Sequence, residues 1–256
     1  FFNVKISRND FNSLPFVQVS EIEFLSVKSK GLPQRHLHHF RKVLRYKNEI
    51  HFLLNDGNGH LWEVELDAND NVVEIKEIEQ LKKPKFTELI CGYVKPKALE
   101  LIIKKATELG VSKLRFISTD HSVAHPGKTE RWSLIIEAAC MQAKNPFKPE
   151  LVFGAELGKK RENEFTRLKD MHPQASVTYL FGSLSQQENT GIDQFTQIAG
   201  HEQYCFICGP EGGFSEQEIQ FLNGFAFPVS LGDTTLRVET AALCGLFMIK
   251  LLTQQF

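Results

Sequence analysis

The chain has 256 residues, enough for one large domain or two modest ones. Hydrophobic residues at 42% and charged residues at 24% exclude a disordered or fibrous chain. No apolar run reaches the roughly eighteen residues a membrane span needs, and five cysteines, an odd number, suit reduced thiols in the cytoplasm better than a disulfide framework.

The N-terminus, Phe1-Phe2-Asn3-Val4-Lys5, lacks the layout of a signal peptide. Although the net charge is only −1, its distribution is uneven: no acid stands between Phe24 and Asn48. That window carries Lys28, Lys30, Arg35, Arg41, Lys42, Arg45 and Lys47, with His36, His38 and His39. A local basic surface can hold a phosphate backbone on a neutral chain. The alternative is a solvated face balanced by acids such as Glu63, Glu65 and Asp67. His36-x-His38-His39 has no acid or thiol co-ligand nearby, so RNA or structural roles are favoured over metal.

A short helix is expected near 34–45. Glu49-Ile50-His51-Phe52-Leu53-Leu54 then runs into Asn55-Asp56-Gly57-Asn58-Gly59, and His60 to Leu66 alternates apolar and polar residues, a hairpin signature. Short strands with one short helix fit a small barrel. Lys82-Lys83-Pro84-Lys85 is the best boundary, giving domains at 1–83 and 84–256. Beyond it strands and helices alternate. Phe86 to Val94 reads as a strand, and Pro96 opens a helix that stops at Gly110. Leu99, Ile102, Ile103, Ala106 and Leu109 form its apolar face, with Glu100 and Lys104 as an i,i+4 pair. Leu114 to Ser118 is a strand, Glu130 to Ala143 a helix, Ser176 to Phe181 a strand, and Val238 to Leu252 a final helix, apolar nearly all round. This order predicts a mostly parallel sheet covered on both faces, with ligands at the carboxyl ends of its strands.

Two glycine-bearing loops fall at such ends. Tyr204-Cys205-Phe206-Ile207-Cys208 precedes Gly209-Pro210-Glu211-Gly212-Gly213-Phe214, and Ser215 with Glu218 has capping-box spacing for the next helix. The loop lacks the Lys-Ser/Thr of a P-loop and the spacing of GxGxxG, and Glu211 opposes a phosphate. A neutral or cationic ligand such as a methylsulfonium donor fits better. Cys205-x-x-Cys208 lies within a strand, where positions three apart face opposite sides, so it is not read as a metal knuckle.

The pair GPEGGFSEQE and LGDTTLRVETAA resembles the signature loops of the SPOUT methyltransferase superfamily. KATELGV at 105–111 and His38-His39-Phe40-Arg41-Lys42-Val43-Leu44-Arg45 are similar to segments of its RsmE-like family, which methylates uracil N3 in 16S ribosomal RNA. The resemblance implies an α/β fold: a small N-terminal PUA-like β-barrel, then a SPOUT domain with a trefoil knot. It implies S-adenosyl-L-methionine as cofactor, ribosomal RNA or the small ribosomal subunit as partner, a homodimer, and neither metal nor membrane. Its cofactor residues fall here on Phe181, Gly182, Gly209, Pro210, Glu211, Gly212, Gly213, Leu231, Gly232, Leu236, Arg237 and Thr240. Arg237 and Glu239 are the catalytic candidates. Arg237 stands at a helix start, where the macrodipole disfavours a cation, so it needs either a partner or a functional role. Arg35, His38, His39, Arg41, Lys42, Arg45 and Gln142 are candidates for RNA contact, with Lys144 where the family carries an arginine. A related methyltransferase with another RNA target, or a silent RNA binder, are the competing readings.

Overall fold

The computed structural model describes residues 11, 13–122, 130–154, 168, 177–183 and 198–253. The chain divides into two compact units, the first comprising Phe1–Lys83 with Glu137–Lys148, the second Pro84–Ile136 with Pro149–Phe256.

In the first unit β1 (Phe16–Gln18), β2 (Ile50–Asn55), β3 (His60–Leu66) and β4 (Val72–Gln80) form one sheet in that order. β1 runs parallel to β2, and the other neighbours are antiparallel. The expected hairpin pairs Ile50 with Leu66 and Asn55 with Leu61. Its turn needs Gly59: φ is +93°, and a Cβ there would stand 2.5 Å from the Phe147 ring. Helix α1 (Glu21–Lys30) opens with a capping box between Ser20 and Glu23. Helix α2 (Gln34–His38) passes into a π-helical turn, His39–Val43. Val27, Leu37, Phe40, Phe52, Leu54 and Val64 share the core beneath them. Met141, from the piece 137–148, packs with Phe16, Leu53, Leu61 and Ile78 in a second cluster.

The second unit holds six parallel strands: β5 (Thr87–Gly92), β6 (Lys113–Ile117), β7 (Glu150–Phe153), β8 (Val177–Gly182), β9 (Gln203–Cys208) and β10 (Phe227–Val229). Their order is β10-β8-β9-β5-β6-β7. Helix α3 (Pro96–Glu108) buries Leu99, Ile102, Ile103 and Ala106 as the periodicity predicts, and Gly110 follows at φ +76°. Glu100 turns from its expected partner Lys104 to Arg131 on α4 (Glu130–Ala143). Helix α5 (Glu216–Leu222) covers one face of the sheet with Leu222 against Ile90, Phe181, Cys205 and Ile207.

Helix α6 (Val238–Thr253) packs on α3, β9 and β5. Cys208 Sγ approaches the Val238 carbonyl at 3.8 Å while Cys205 joins the α5-side cluster, so the two thiols face opposite ways. Gly245 is what lets α6 lie this close, because a Cβ there would overlap the buried Phe206 ring. An alanine stabilises an open helix by roughly 1 kcal/mol over glycine. Here Gly245→Ala should instead destabilise by about 1–3 kcal/mol through overpacking, read as a fall in Tm by circular dichroism.

Candidate functional site

The carboxyl ends of β10, β8 and β9 lie side by side, and both glycine loops leave from them. After β9, the amide of Gly213 donates to the Pro210 carbonyl at 2.9 Å, closing a turn in which Gly213 has φ +71°. Gly92 ends the neighbouring β5, and a Cβ there would come within 2.6 Å of Pro210 Cδ. This isolated strand glycine, which sequence reasoning passed over, marks a close backbone approach.

Glu211 points away from the loop it belongs to. Its Oε1 accepts from the Lys95 amide at 3.0 Å, at the N-cap of α3, where a carboxylate is favoured by the helix dipole. A second tie comes from the turn after β6. The buried Glu218 accepts from the Ser215 amide at 2.9 Å and from the Asp120 amide at 2.9 Å. Ser215 Oγ donates to Asp120 Oδ2 at 2.6 Å, and His121 Nδ1 lies 3.0 Å from the Gly212 carbonyl. A Cβ on Gly212 would stand 2.8 Å from His121 Cβ. The glycine loop is therefore clamped from two sides before any ligand arrives. Asp120 and His121 were invisible as site residues in the sequence because their partners lie more than ninety positions away.

The second loop, 230–237, is open. Asp233, Thr234 and Thr235 are exposed, Leu231 and Leu236 half-buried, and Gly232 has φ +126°. Ser230 Oγ accepts from the Gly232 amide at 3.4 Å. Phe181 and Gly182 end β8 between the two loops, with Ser183 N donating to the Val229 carbonyl at 3.0 Å. The structure thus gathers Phe181, Gly182, Gly209 to Gly213, Leu231 and Gly232 around adjoining strand ends. Arg237 is 87% exposed, and its Nη1 stands 3.7 Å from Glu239 Oε1, too far for a firm pair. The amides of Val238, Glu239 and Thr240, in the first turn of α6, have no hydrogen-bond partner among the described residues. Beside Leu231 a groove of about 810 Å³ opens between α3 and α6, lined by Leu109, Leu243, Cys244, Phe247, Met248 and Leu251.

These features fit a methylsulfonium nucleoside. Among the described residues the strand ends offer apolar side chains, a close glycine backbone and unpartnered amides, and no cradle of lysines and arginines such as a polyphosphate requires. Among the described residues no group of His, Cys, Asp or Glu converges as a metal site would, and no helix is long and apolar enough to cross a membrane.

In the first unit the basic segment divides. Arg35 bridges Glu23 and Glu137, which holds the Glu23 carboxyl down to about 2. His36 is buried, without a hydrogen bond at Nε2, and burial pushes its imidazole down to about 4. Arg41 donates to Asp70 Oδ1 and to the carbonyls of Tyr46, Asn48 and Asp67. Arg35 and Arg41, expected at the RNA, thus also hold partners within the unit, and Arg35 stays exposed while it does so. Lys144 likewise donates to the carbonyls of Phe11 and Leu14. His38, His39, Lys42, Arg45 and Gln142 remain exposed.

A family model described as an RNA methyltransferase domain matches residues 81–250, and one described as an RNA methyltransferase PUA domain matches residues 32–78. The chain belongs to this RNA methyltransferase family. A ribosomal RNA small subunit methyltransferase E of Mesomycoplasma hyopneumoniae is 30% identical over 214 residues, 79% of this chain and 86% of that protein. The protein of the same name from Synechocystis is 29% identical over 228 residues, 85% and 71% of the two chains. In fold the chain is similar to a Neisseria gonorrhoeae ribosomal RNA small subunit methyltransferase E solved with bound S-adenosyl methionine, at TM-score 0.73 and 24% identity, covering 93% and 98%. A probable rRNA-methyltransferase from Porphyromonas gingivalis matches at TM-score 0.72 and 24% identity, covering 94% and 99%. The PUA match lies within the first unit, and the methyltransferase match covers most of the second together with residues 137–148 of the first.

Proposed function

We propose that the protein methylates N3 of a uridine in 16S ribosomal RNA, with S-adenosyl-L-methionine as donor. The observation that carries this reading is the pair of glycine loops at adjoining parallel strand ends, the first of them clamped by Glu211 and Glu218. Membership of the RNA methyltransferase family and the names of the relatives support the target.

Gly209, Pro210, Glu211, Gly212, Gly213, Leu231, Gly232, Leu236, Arg237 and Thr240, with Phe181 and Gly182, would hold the donor. When bound, the donor supplies an electrophilic methyl group on a sulfonium, and a neutral thioether leaves. Uracil N3 gives up its proton to solvent, and its electron pair then attacks the methyl carbon in line with the S–CH3 bond that breaks. Arg237 is the cation suited to that step. Exposed and only loosely held by Glu239, it can stand beside the anion as charge develops on the ring. Glu239 steers it. RNA binding is assigned to residues 1–83 and methyl transfer to 84–256, and the cytoplasm follows from the substrate.

Two further parts of the reading rest on α6. Phe247 and Leu251 are half-exposed on the groove that continues to Leu231, which supports a homodimer built on this face. The family also implies a trefoil knot, which would involve α6 where it packs on β9 and β5 in the interior of the sheet.

Isothermal calorimetry with S-adenosylhomocysteine tests the reading: a methyltransferase shows saturable heat, and a silent RNA binder shows none. The same assay reports on the clamp. His121→Ala removes one hydrogen bond to Gly212, worth about 0.5–1.5 kcal/mol, so affinity should fall roughly 2–10-fold. His121→Asn keeps a donor near the Nδ1 position and should recover most of it.

A further inference from the structure

The stretch from Lys42 to Glu49 is exposed throughout, although it contains large apolar side chains. Val43 is 59% exposed, Leu44 45% and Tyr46 40%. Between and beside them stand Lys42, Arg45 and Lys47, preceded by His38 and His39. Two acids of the neighbouring turn are already engaged, since Asp70 and the Asp67 carbonyl receive Arg41 and the Asp67 carboxylate receives the amides of Asn69 and Asn71, which leaves exposed Glu49 as the acid within the stretch itself.

This display is built rather than loose. The Leu44 amide donates to the His39 carbonyl at 2.9 Å, closing the π-helical turn, and the Tyr46 amide donates to the Phe40 carbonyl at 3.1 Å. The Tyr46 ring meets buried Phe40 edge-on, with centroids 6.2 Å apart at 78°. Arg45 is held at φ +59°, a conformation that costs a non-glycine residue. Arg41 fastens the carbonyls on either side of Lys47, at Tyr46 and Asn48. π-turns and strained residues of this kind concentrate at functional sites.

We propose that residues 38–47 form a stacking platform for unpaired bases, so that the first unit takes single-stranded or looped RNA rather than duplex. The inference rests on the RNA-binding reading above and narrows its substrate class. Cations alone suit any phosphate backbone. Exposed Tyr46, Leu44 and Val43 add nothing against an A-form helix, whose bases are stacked away and whose shallow groove shows hydroxyls and phosphates. Splayed bases, in contrast, stack on an aromatic ring or a guanidinium plane whatever their identity. Arg41, the residue whose charge first suggests RNA contact, is the buttress that holds the platform in shape.

The test uses the full chain, a labelled twelve-nucleotide oligouridylate and a twelve-base-pair RNA duplex, with affinities measured by fluorescence anisotropy over a salt series. Tyr46→Ala and Val43→Ser should each weaken oligouridylate binding about five- to tenfold and leave the salt slope unchanged, because stacking releases no counterions. Lys42→Ala with Arg45→Ala should weaken both RNAs and flatten the slope by roughly 0.7 per lost contact on the single strand. Tyr46→Phe keeps the ring against Phe40 and should bind as wild type, which separates stacking from misfolding. Equal loss on duplex and single strand, or unchanged oligouridylate affinity in folded Tyr46→Ala and Val43→Ser, overturns the platform alone. Wild type binding neither RNA overturns the platform and the RNA-binding reading together.

Discussion

Gly212→Val is expected to abolish S-adenosylhomocysteine binding, at least about a hundredfold or ~2.7 kcal/mol, while the protein stays folded. An added Cβ would stand 2.8 Å from His121 Cβ, closer than carbon atoms approach. His121 has little room to yield, because the turn that carries it is tied down by Thr119, Ser122 and the Asp120–Glu218 bond. The loop is pinned at its other flank by Glu211 at α3 and by Pro210 against Gly92. Strain therefore goes into the backbone of residues 209–213, where the donor must approach closely. The core of the unit lies below these strand ends, so Tm should change little. Calorimetry paired with thermal unfolding checks both halves, and wild-type affinity in a folded variant would remove the loop from the cofactor site.

Phe247→Arg with Leu251→Arg should convert a dimer into an inactive monomer. Both side chains are half-exposed on α6 beside Met248 and Leu243, and the groove they line runs on to Ser230 and Leu231 of the second loop. A partner seated there would cover apolar surface and also brace the second glycine loop. Arginines at both positions would meet like charges across a two-fold axis, in a place where they lose water without gaining an acid. Sedimentation velocity should show the dissociation constant rising more than about a hundredfold. A variant that is monomeric at the assay concentration yet fully active would contradict the dimer reading.

Much of the second unit was legible because its signals are local. Pro96 and Gly110 bracket α3, the spacing of Leu99, Ile102, Ile103 and Ala106 gives its buried face, and the Ser215–Glu218 capping box forms as expected. Other elements carry weaker signals. β10 is three residues long and includes Pro228, and α1 scatters Ser and Lys among few apolar residues. The site was legible only in part. Glycines announced where the loops are, but charge alone did not show that Arg35 and Arg41 are tied within the fold, because their acceptors Glu137, Asp67 and Asp70 lie far along the chain. Glu211 was read as repelling phosphate; in the fold it caps the start of α3. Long-range partners decide whether a charged side chain is a tool or a tie, and no periodicity encodes them.

The central claim is tested most directly by supplying the protein with unmodified small ribosomal subunits and labelled S-adenosyl-L-methionine, then mapping the product nucleotide by mass spectrometry. One N3-methyluridine in 16S ribosomal RNA, absent when Gly212→Val replaces wild type, is the predicted result. Label on a ribose 2′-oxygen or on another base, or no transfer by a protein that binds S-adenosylhomocysteine, would contradict it.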